Sequence, residues 1–274
     1  MEGIKTVFVD LDDTIWWFTE NSKVALRHVY DKFGLSQYCN DYNSFRDIYA
    51  AKNLELWDLY HYGKINKDYL VTERYRYTLE QIGVPGDIEA LAKDIDDEYL
   101  FFLSSMGTLI PGAKDLLDYL VKKYDVNILS NGFKEVQMRK LRSSGIENYI
   151  HHLVLSDDCG ITKPLRGIFD YALERTGATA ETTVMIGDNY DADVQGAKNA
   201  GWRTVLFNIK GFDRNSVPDA DIVVEKLEEI KNNDEELKGR FGGDLQFGTA
   251  GMRGIMGAGS NRLNNYTVRR AAQG

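Results

Sequence analysis

Four short apolar runs, each stopping at a cluster of polar residues, constrain this chain more than any other feature. Ile4 to Val9 ends at Asp10-Leu11-Asp12-Asp13-Thr14, and Val126 to Leu129 ends at Ser130-Asn131-Gly132. Leu153 to Leu155 ends at Ser156-Asp157-Asp158, and Val184 to Ile186 ends at Gly187-Asp188. Runs this short and this rich in β-branched residues read as buried strands. Helical patterns lie between them. Ala113, Leu116, Leu117, Leu120 and Val121 follow Pro111 at helical spacing, and Ile168, Phe169, Ala172 and Leu173 do the same before Gly177. Two more strand-like runs, Arg203 to Phe207 and Asp221 to Val224, precede a last helix around Leu227 and Ile230. Strands alternating with helices predict an α/β fold, a doubly wound parallel sheet covered on both faces, with ligands at the carboxyl ends of the strands.

One stretch breaks that rhythm. Residues 16–105 offer no strand followed by a turn, and Phe45, Tyr49, Trp57, Tyr60, Leu70, Tyr77, Leu91, Ile95 and Phe102 read as buried stripes of several helices. The expected division is therefore a core made of 1–15 and 106–231, with a helical insertion over 16–105. Beyond about Asn232 the character changes again, with eight glycines between Gly239 and Gly259 and more arginine than acid. A tail of that kind, 232–274, is too short to close a core as an independent domain.

Composition excludes several classes. The 274 residues carry 33 Lys plus Arg against 42 Asp plus Glu, a formal charge of -9. No basic stripe offers a footprint for nucleic acid or anionic lipid. No apolar stretch approaches the length of a membrane span, and no signal-peptide core precedes the first acidic residues, so a cytoplasmic protein is expected. Cys39 and Cys159 are too few for a disulfide framework or a cysteine zinc site. His28, His61, His151 and His152 show no metal spacing and receive no chemistry here.

Asp10 and Asp12 stand two apart at the end of a strand, so both side chains leave on one face. Alone, such a pair is equally a turn or a helix cap. Ser130 and Asn131 offer a hydroxyl and backbone N–H groups, which is also what an ordinary turn does. Lys163 precedes Pro164 in a loop. Asp188, Asp191 and Asp193 follow the fourth strand, where an acidic helix start is favoured anyway. Their common place at the strand ends of one parallel sheet turns weak signals into one site. The residue types suit phosphoryl transfer: Asp10 as nucleophile, Asp12 as acid and base, and Mg2+ on oxygen ligands from Asp10, Asp12 and Asp188, with Asp193 or Asp191 and Thr14 in support. Ser130, Asn131 and Lys163 would hold the remaining phosphoryl oxygens.

These residues resemble the haloacid dehalogenase superfamily, through DLDDT at 10–14, LSNGF at 129–133, Lys163-Pro164 with Ile168-Phe169 downstream, and GDNYDAD at 187–193. The resemblance covers about residues 4–231 and implies a Rossmann-like core with a helical cap. True dehalogenases lack the second aspartate of the first motif, so Asp12 implies a phosphatase or phosphomutase. Leu56-Trp57-Asp58-Leu59-Tyr60, Gln137, Arg139 and the stretch from Ile168 to Leu173 are similar to the branch that dephosphorylates pyrimidine nucleoside monophosphates. Trp16 and Phe133 are the aromatic candidates near substrate, although an aromatic in a helical cap is more often core. Leu245 to Gly274 is similar to the opening of phosphohexomutases but stops before any phosphoserine loop, so mutase chemistry is not expected from it. Arg253 or Arg262 reaching a neighbour's phosphate is its functional alternative.

The expected activity is a magnesium-dependent phosphatase for small phosphorylated metabolites, acting through an aspartyl-phosphate, with a nucleoside 5′-monophosphate as substrate and no membrane or nucleic-acid partner. Its alternatives are a sugar-phosphate phosphatase or phosphomutase with the same core, and a catalytically idle metal-binding scaffold. The chain is expected as a monomer or homodimer.

Overall fold

The computed structural model describes residues 3–232, together with 247–248 and 251–252. In chain order the main elements are β1 (Thr6–Val9), α1 (Phe18–Lys32), α2 (Tyr42–His61), α3 (Lys67–Gln81), α4 (Ile88–Ser105), α5 (Ala113–Leu120), β2 (Asp125–Ser130) and α6 (Lys134–Ser143). They continue with β3 (Leu153–Leu155), α7 (Ser156–Cys159), α8 (Arg166–Thr176), β4 (Thr183–Gly187), α9 (Gly196–Asn199), β5 (Arg203–Phe207), β6 (Ile222–Val224) and α10 (Leu227–Asn232). Phe247–Gly248 and Gly251–Met252 form an antiparallel pair. The rest of the tail, with Arg253 and Arg262, lies outside the described residues.

The chain divides into two compact units. Among the described residues, the first comprises 3–16, 109–130 and those from 146 onward, and the second comprises 17–108 and 131–145. In the first, six parallel strands run in the order β3-β2-β1-β4-β5-β6. The chain steps outward from β1 to β3 and then restarts on the other side at β4. This reversal puts the carboxyl end of β1 at the switch point where such sheets bind ligands. Every residue of β1 and β4 is buried, as expected of strands covered on both faces rather than one. On one face Phe8, Leu129 and Met185 pack with Ile168 and Phe169 of α8, Ala197 of α9 and Trp202. Toward the other, Val7, Val184, Ile186 and Val205 surround a small apolar cavity with Leu120 of α5 and Ile230 of α10.

The second unit is helical. Asp41, Asn66 and Asp87 cap α2, α3 and α4 through their side chains, each satisfying N–H groups that a helix start leaves free. At its centre Arg74 pairs with Asp96 through Nε at 2.7 Å and Nη2 at 2.5 Å, among the buried Tyr49, Tyr75 and Tyr99. Burial raises the pKa of Asp96, against the pull of Arg74. Of the predicted stripe, Phe45, Tyr49, Leu70 and Ile95 are buried, while Trp57, Tyr60, Tyr77, Leu91 and Phe102 are half-buried.

The stretch 131–145 differs from its expected place in the core. It packs with the helices: Phe133 and Val136 join Leu56 and Leu70 in one apolar cluster, and Ser143 Oγ donates to the Ser104 carbonyl at 2.8 Å. At Gly107 a Cβ would stand 2.7 Å from the Ser143 carbonyl oxygen, so this contact of backbones admits no side chain.

Candidate active site

Strand β1 delivers Asp10. Its N–H donates to the Ile186 carbonyl at 2.8 Å, which fixes it beside β4, and its side chain is buried. The chain then folds back on itself. The Leu11 carbonyl accepts Ile15 N at 3.0 Å and Trp16 N at 2.8 Å, and Asp13 N donates to Trp16 O at 2.8 Å. Asp13 takes φ +57° to make this turn, a left-handed conformation that aspartate tolerates better than most residues. Asp12 is left half-exposed and Trp16 fully buried. The indole of Trp16 is thus packed inside the fold.

Lys163 is almost fully buried and has three acceptors at its ammonium: Asp10 Oδ1 at 2.6 Å, Asp193 Oδ1 at 2.6 Å and the Leu129 carbonyl at 2.9 Å. Burial alone would lower its pKa, but the two carboxylates override that and raise it. It is a fixed positive charge. Burial likewise pushes Asp10 well above the usual carboxylate range, with Lys163 opposing and Asp193, Asp188 and Asp12 adding to the shift.

Asp188 follows β4 directly and is buried. Thr14 Oγ1 donates to its Oδ1 at 3.3 Å, and Lys210 Nζ meets its Oδ2 at 2.8 Å. Burial raises its pKa to about 6, against Lys210. Asp193 approaches so closely that a Cβ on Gly187 would lie 2.2 Å from its Oδ2; only glycine fits there. Asp193 Oδ2 accepts Asn189 N at 3.1 Å, while Asn189 Oδ1 accepts the N–H groups of Asp191 and Ala192. Residues Tyr190–Gln195 form a π-helical turn, a wider winding than the helix expected after the motif and one frequent at functional sites. Asp193 is buried in the cluster and Asp191 is exposed, which separates the two candidates left open by spacing.

Ser130 is the buried last residue of β2, next to Leu129 whose carbonyl holds Lys163. Asn131 and Phe133 belong to the helical unit. Phe133 stacks on Trp57 with ring centroids 5.5 Å apart, meets Tyr60 edge-on at 6.1 Å and lies under Lys67 Nζ at 4.2 Å.

Lys210 is the residue that sequence reasoning missed. It carries no motif, but it follows β5, and the rule that strand carboxyl ends converge would have flagged the loop.

The donor set fits a hard cation. One carboxylate oxygen from each of Asp10, Asp188 and Asp193 lies within 4.8 Å of the others, and all three residues are buried. Oxygen donors without nitrogen or sulfur suit magnesium. Three buried carboxylates against the ammoniums of Lys163 and the exposed Lys210 leave a charge deficit that a cation would make good.

A model of the haloacid dehalogenase-like hydrolases matches residues 4–201, and the chain belongs to that family. It is 32% identical to the HAD-hydrolase YfnB of Bacillus subtilis over 76% of this chain and 86% of that protein. A crystal structure of YfnB bound to magnesium superimposes with a TM-score of 0.74 at 31% identity, covering 84% of this chain and 98% of that one. The pyrimidine 5′-nucleotidase PynA of Streptococcus pneumoniae is 32% identical over 74% of this chain and 84% of its own length. The pyrimidine 5′-nucleotidase YjjG of Escherichia coli is 31% identical over 74% and 85%. No helix among the described residues is long and apolar enough to cross a membrane.

Proposed function

We propose that this hydrolase is a magnesium-dependent phosphoric monoester hydrolase whose substrates are nucleoside 5′-monophosphates, pyrimidine ones first. The observation that carries the reading is the buried Asp10 at the end of the central strand, bonded to Lys163 and followed two residues on by the half-exposed Asp12. Asp10 attacks phosphorus through a carboxylate oxygen. The new Asp–O–P bond forms as the P–O bond to the nucleoside breaks, and Asp12 gives its proton to the leaving oxygen. Water then attacks the aspartyl-phosphate, Asp12 takes back a proton, and phosphate leaves with Asp10 restored. Lys163, Ser130 and the backbone at Asn131 orient the phosphoryl oxygens.

Asp10, Asp188 and the Asp12 carbonyl would hold magnesium, with Asp193 keeping Lys163 in place and Thr14 steadying Asp188. When bound, the ion neutralises charge between the nucleophile and the phosphoryl group. Substrate choice falls to the helical unit, where Trp57, Tyr60 and Phe133 offer aromatic faces. The pyrimidine assignment draws on the relatives PynA and YjjG.

The test is kcat/KM across uridine, thymidine, cytidine, adenosine and guanosine 5′-monophosphates, triose and pentose phosphates and p-nitrophenyl phosphate, with magnesium and with chelator. Pyrimidine nucleotides should lead and chelator should silence every reaction. Sugar phosphates leading the panel would overturn the substrate, and full activity in chelator would overturn the metal.

A further inference from the structure

At the opposite end of the sheet unit lies a second group of ligand-type side chains. Asp125 opens β2, and His151-His152 lead directly into β3, the outermost strand on that side. Parallel pairing brings them together: His151 N donates to the Val126 carbonyl at 2.8 Å, and Ile128 N donates to the His152 carbonyl at 2.9 Å. Asp125 Oδ1 stands 2.6 Å from His151 Nδ1, and the two imidazole centroids are 4.3 Å apart. One ligand atom from each of the three residues lies within 4.8 Å of the others.

The fully buried Asn127 orients this group. Its Oδ1 accepts His152 N at 3.0 Å, so that atom is the amide oxygen. His152 Nδ1 lies 3.0 Å from the same oxygen and therefore carries the proton, which puts the lone pair on Nε2. The Asn127 amide nitrogen donates to Asp125 Oδ2 at 3.2 Å. One buried amide thus sets both a histidine tautomer and a carboxylate, the arrangement that metal sites use to aim their ligands.

We propose that Asp125, His151 and His152 form a binding site for a divalent transition cation of the zinc class. Two imidazole nitrogens and one carboxylate select such an ion over magnesium. Asp125 pairs in register with Thr6, at the start of β1, whereas Asp10 follows its end. Four residues of strand separate the levels, roughly 13 Å at ~3.3 Å per residue. The ion would fasten the three-residue edge strand β3 to β2 and take no part in hydrolysis.

Zinc titrated calorimetrically into untagged protein, with magnesium in excess, should bind with one more site in the wild type than in H151A/H152A. Zinc should raise Tm by about 5 °C in the wild type only, while magnesium-dependent turnover of p-nitrophenyl phosphate stays the same in both. D125N should weaken zinc by about tenfold or more. With Cu2+, the electron paramagnetic resonance spectrum should show nitrogen couplings that vanish in H151A/H152A. Equal zinc stoichiometry in wild type and variant, or nitrogen couplings that survive the substitution, would overturn the site. Neither result bears on the phosphatase reading, whose residues are untouched.

Discussion

The two units bury charge in different ways. In the helical unit Arg74 faces Asp96, one cation to one anion, each side chain 4% exposed. In the sheet unit the buried Lys163 faces Asp10 and Asp193, with Asp188 alongside and, among the described residues, the exposed Lys210 to offset it. A balanced pair is complete and can only stabilise or destabilise the fold. An unbalanced group, in which burial pushes Asp10 well above the usual carboxylate range, retains a need for positive charge that an ion can meet. The contrast marks one cluster as structural and the other as chemical.

Substitution at each centre should separate the two roles, and the largest effect belongs to the nucleophile. Asp10→Asn should cut turnover of p-nitrophenyl phosphate by at least about 10^3-fold, with Tm unchanged or raised because a carboxylate whose charge burial disfavours is removed. Wild-type-like turnover would break the assignment. Asp96→Asn should do the reverse. It leaves the buried Arg74 charge without its carboxylate, with Asn53 Oδ1 still accepting at 3.2 Å, and should cost about 3–5 kcal/mol in denaturant unfolding, while kcat per folded molecule holds. If both variants lost activity alike, the contrast between the clusters would fail.

A pH series sharpens the same comparison. In the metal-free protein the folded pKa of Asp188 is raised to about 6, above the usual ~3.9 of an unfolded aspartate. Its protonated form therefore favours the fold: that stability is fully present below the unfolded pKa and is lost as pH rises through about 6. Magnesium takes the ionised form, so its apparent affinity should be lower at pH 5 than at pH 7. Titration at pH 5 and pH 7 checks this, and equal affinities would remove Asp188 from the ion's ligands.

What was legible in the sequence follows from how local each signal is. Asp10, Asp12, Thr14, Asp188 and Asp193 sit within a few residues of strands whose apolar runs announce them, so strand and chemistry are read together. Lys210 is invisible by that route, because its relevance depends on β5 lying beside β4. The grouping of 131–145 with the helices depends on Phe133, Val136 and Ser143 meeting Leu56, Leu70 and Ser104, contacts that no periodicity encodes. The π-helical turn at Tyr190–Gln195 differs from an α-helix by one hydrogen-bond step, too little to alter an apolar pattern. His151 and His152 show no ligand spacing because their partner Asp125 lies 26 residues earlier and arrives through strand pairing.

The smallest expected effect tests whether the helical unit selects substrate. Trp57 is half-buried, stacks on Phe133 and meets Tyr60 edge-on at 5.6 Å. A base stacking on such a face gains about 1–3 kcal/mol, which sets the scale. Trp57→Leu keeps an apolar side chain in the Leu56, Leu70 and Phe133 cluster but removes the flat indole. It should lower kcat/KM for uridine 5′-monophosphate about fivefold, mainly through KM, and leave p-nitrophenyl phosphate within about twofold. A general loosening of the unit would instead depress both substrates together and lower Tm. An equal loss on both substrates would therefore return Trp57 to a packing role and leave substrate selection to other residues, while the chemistry assigned to Asp10 and Asp12 would stand.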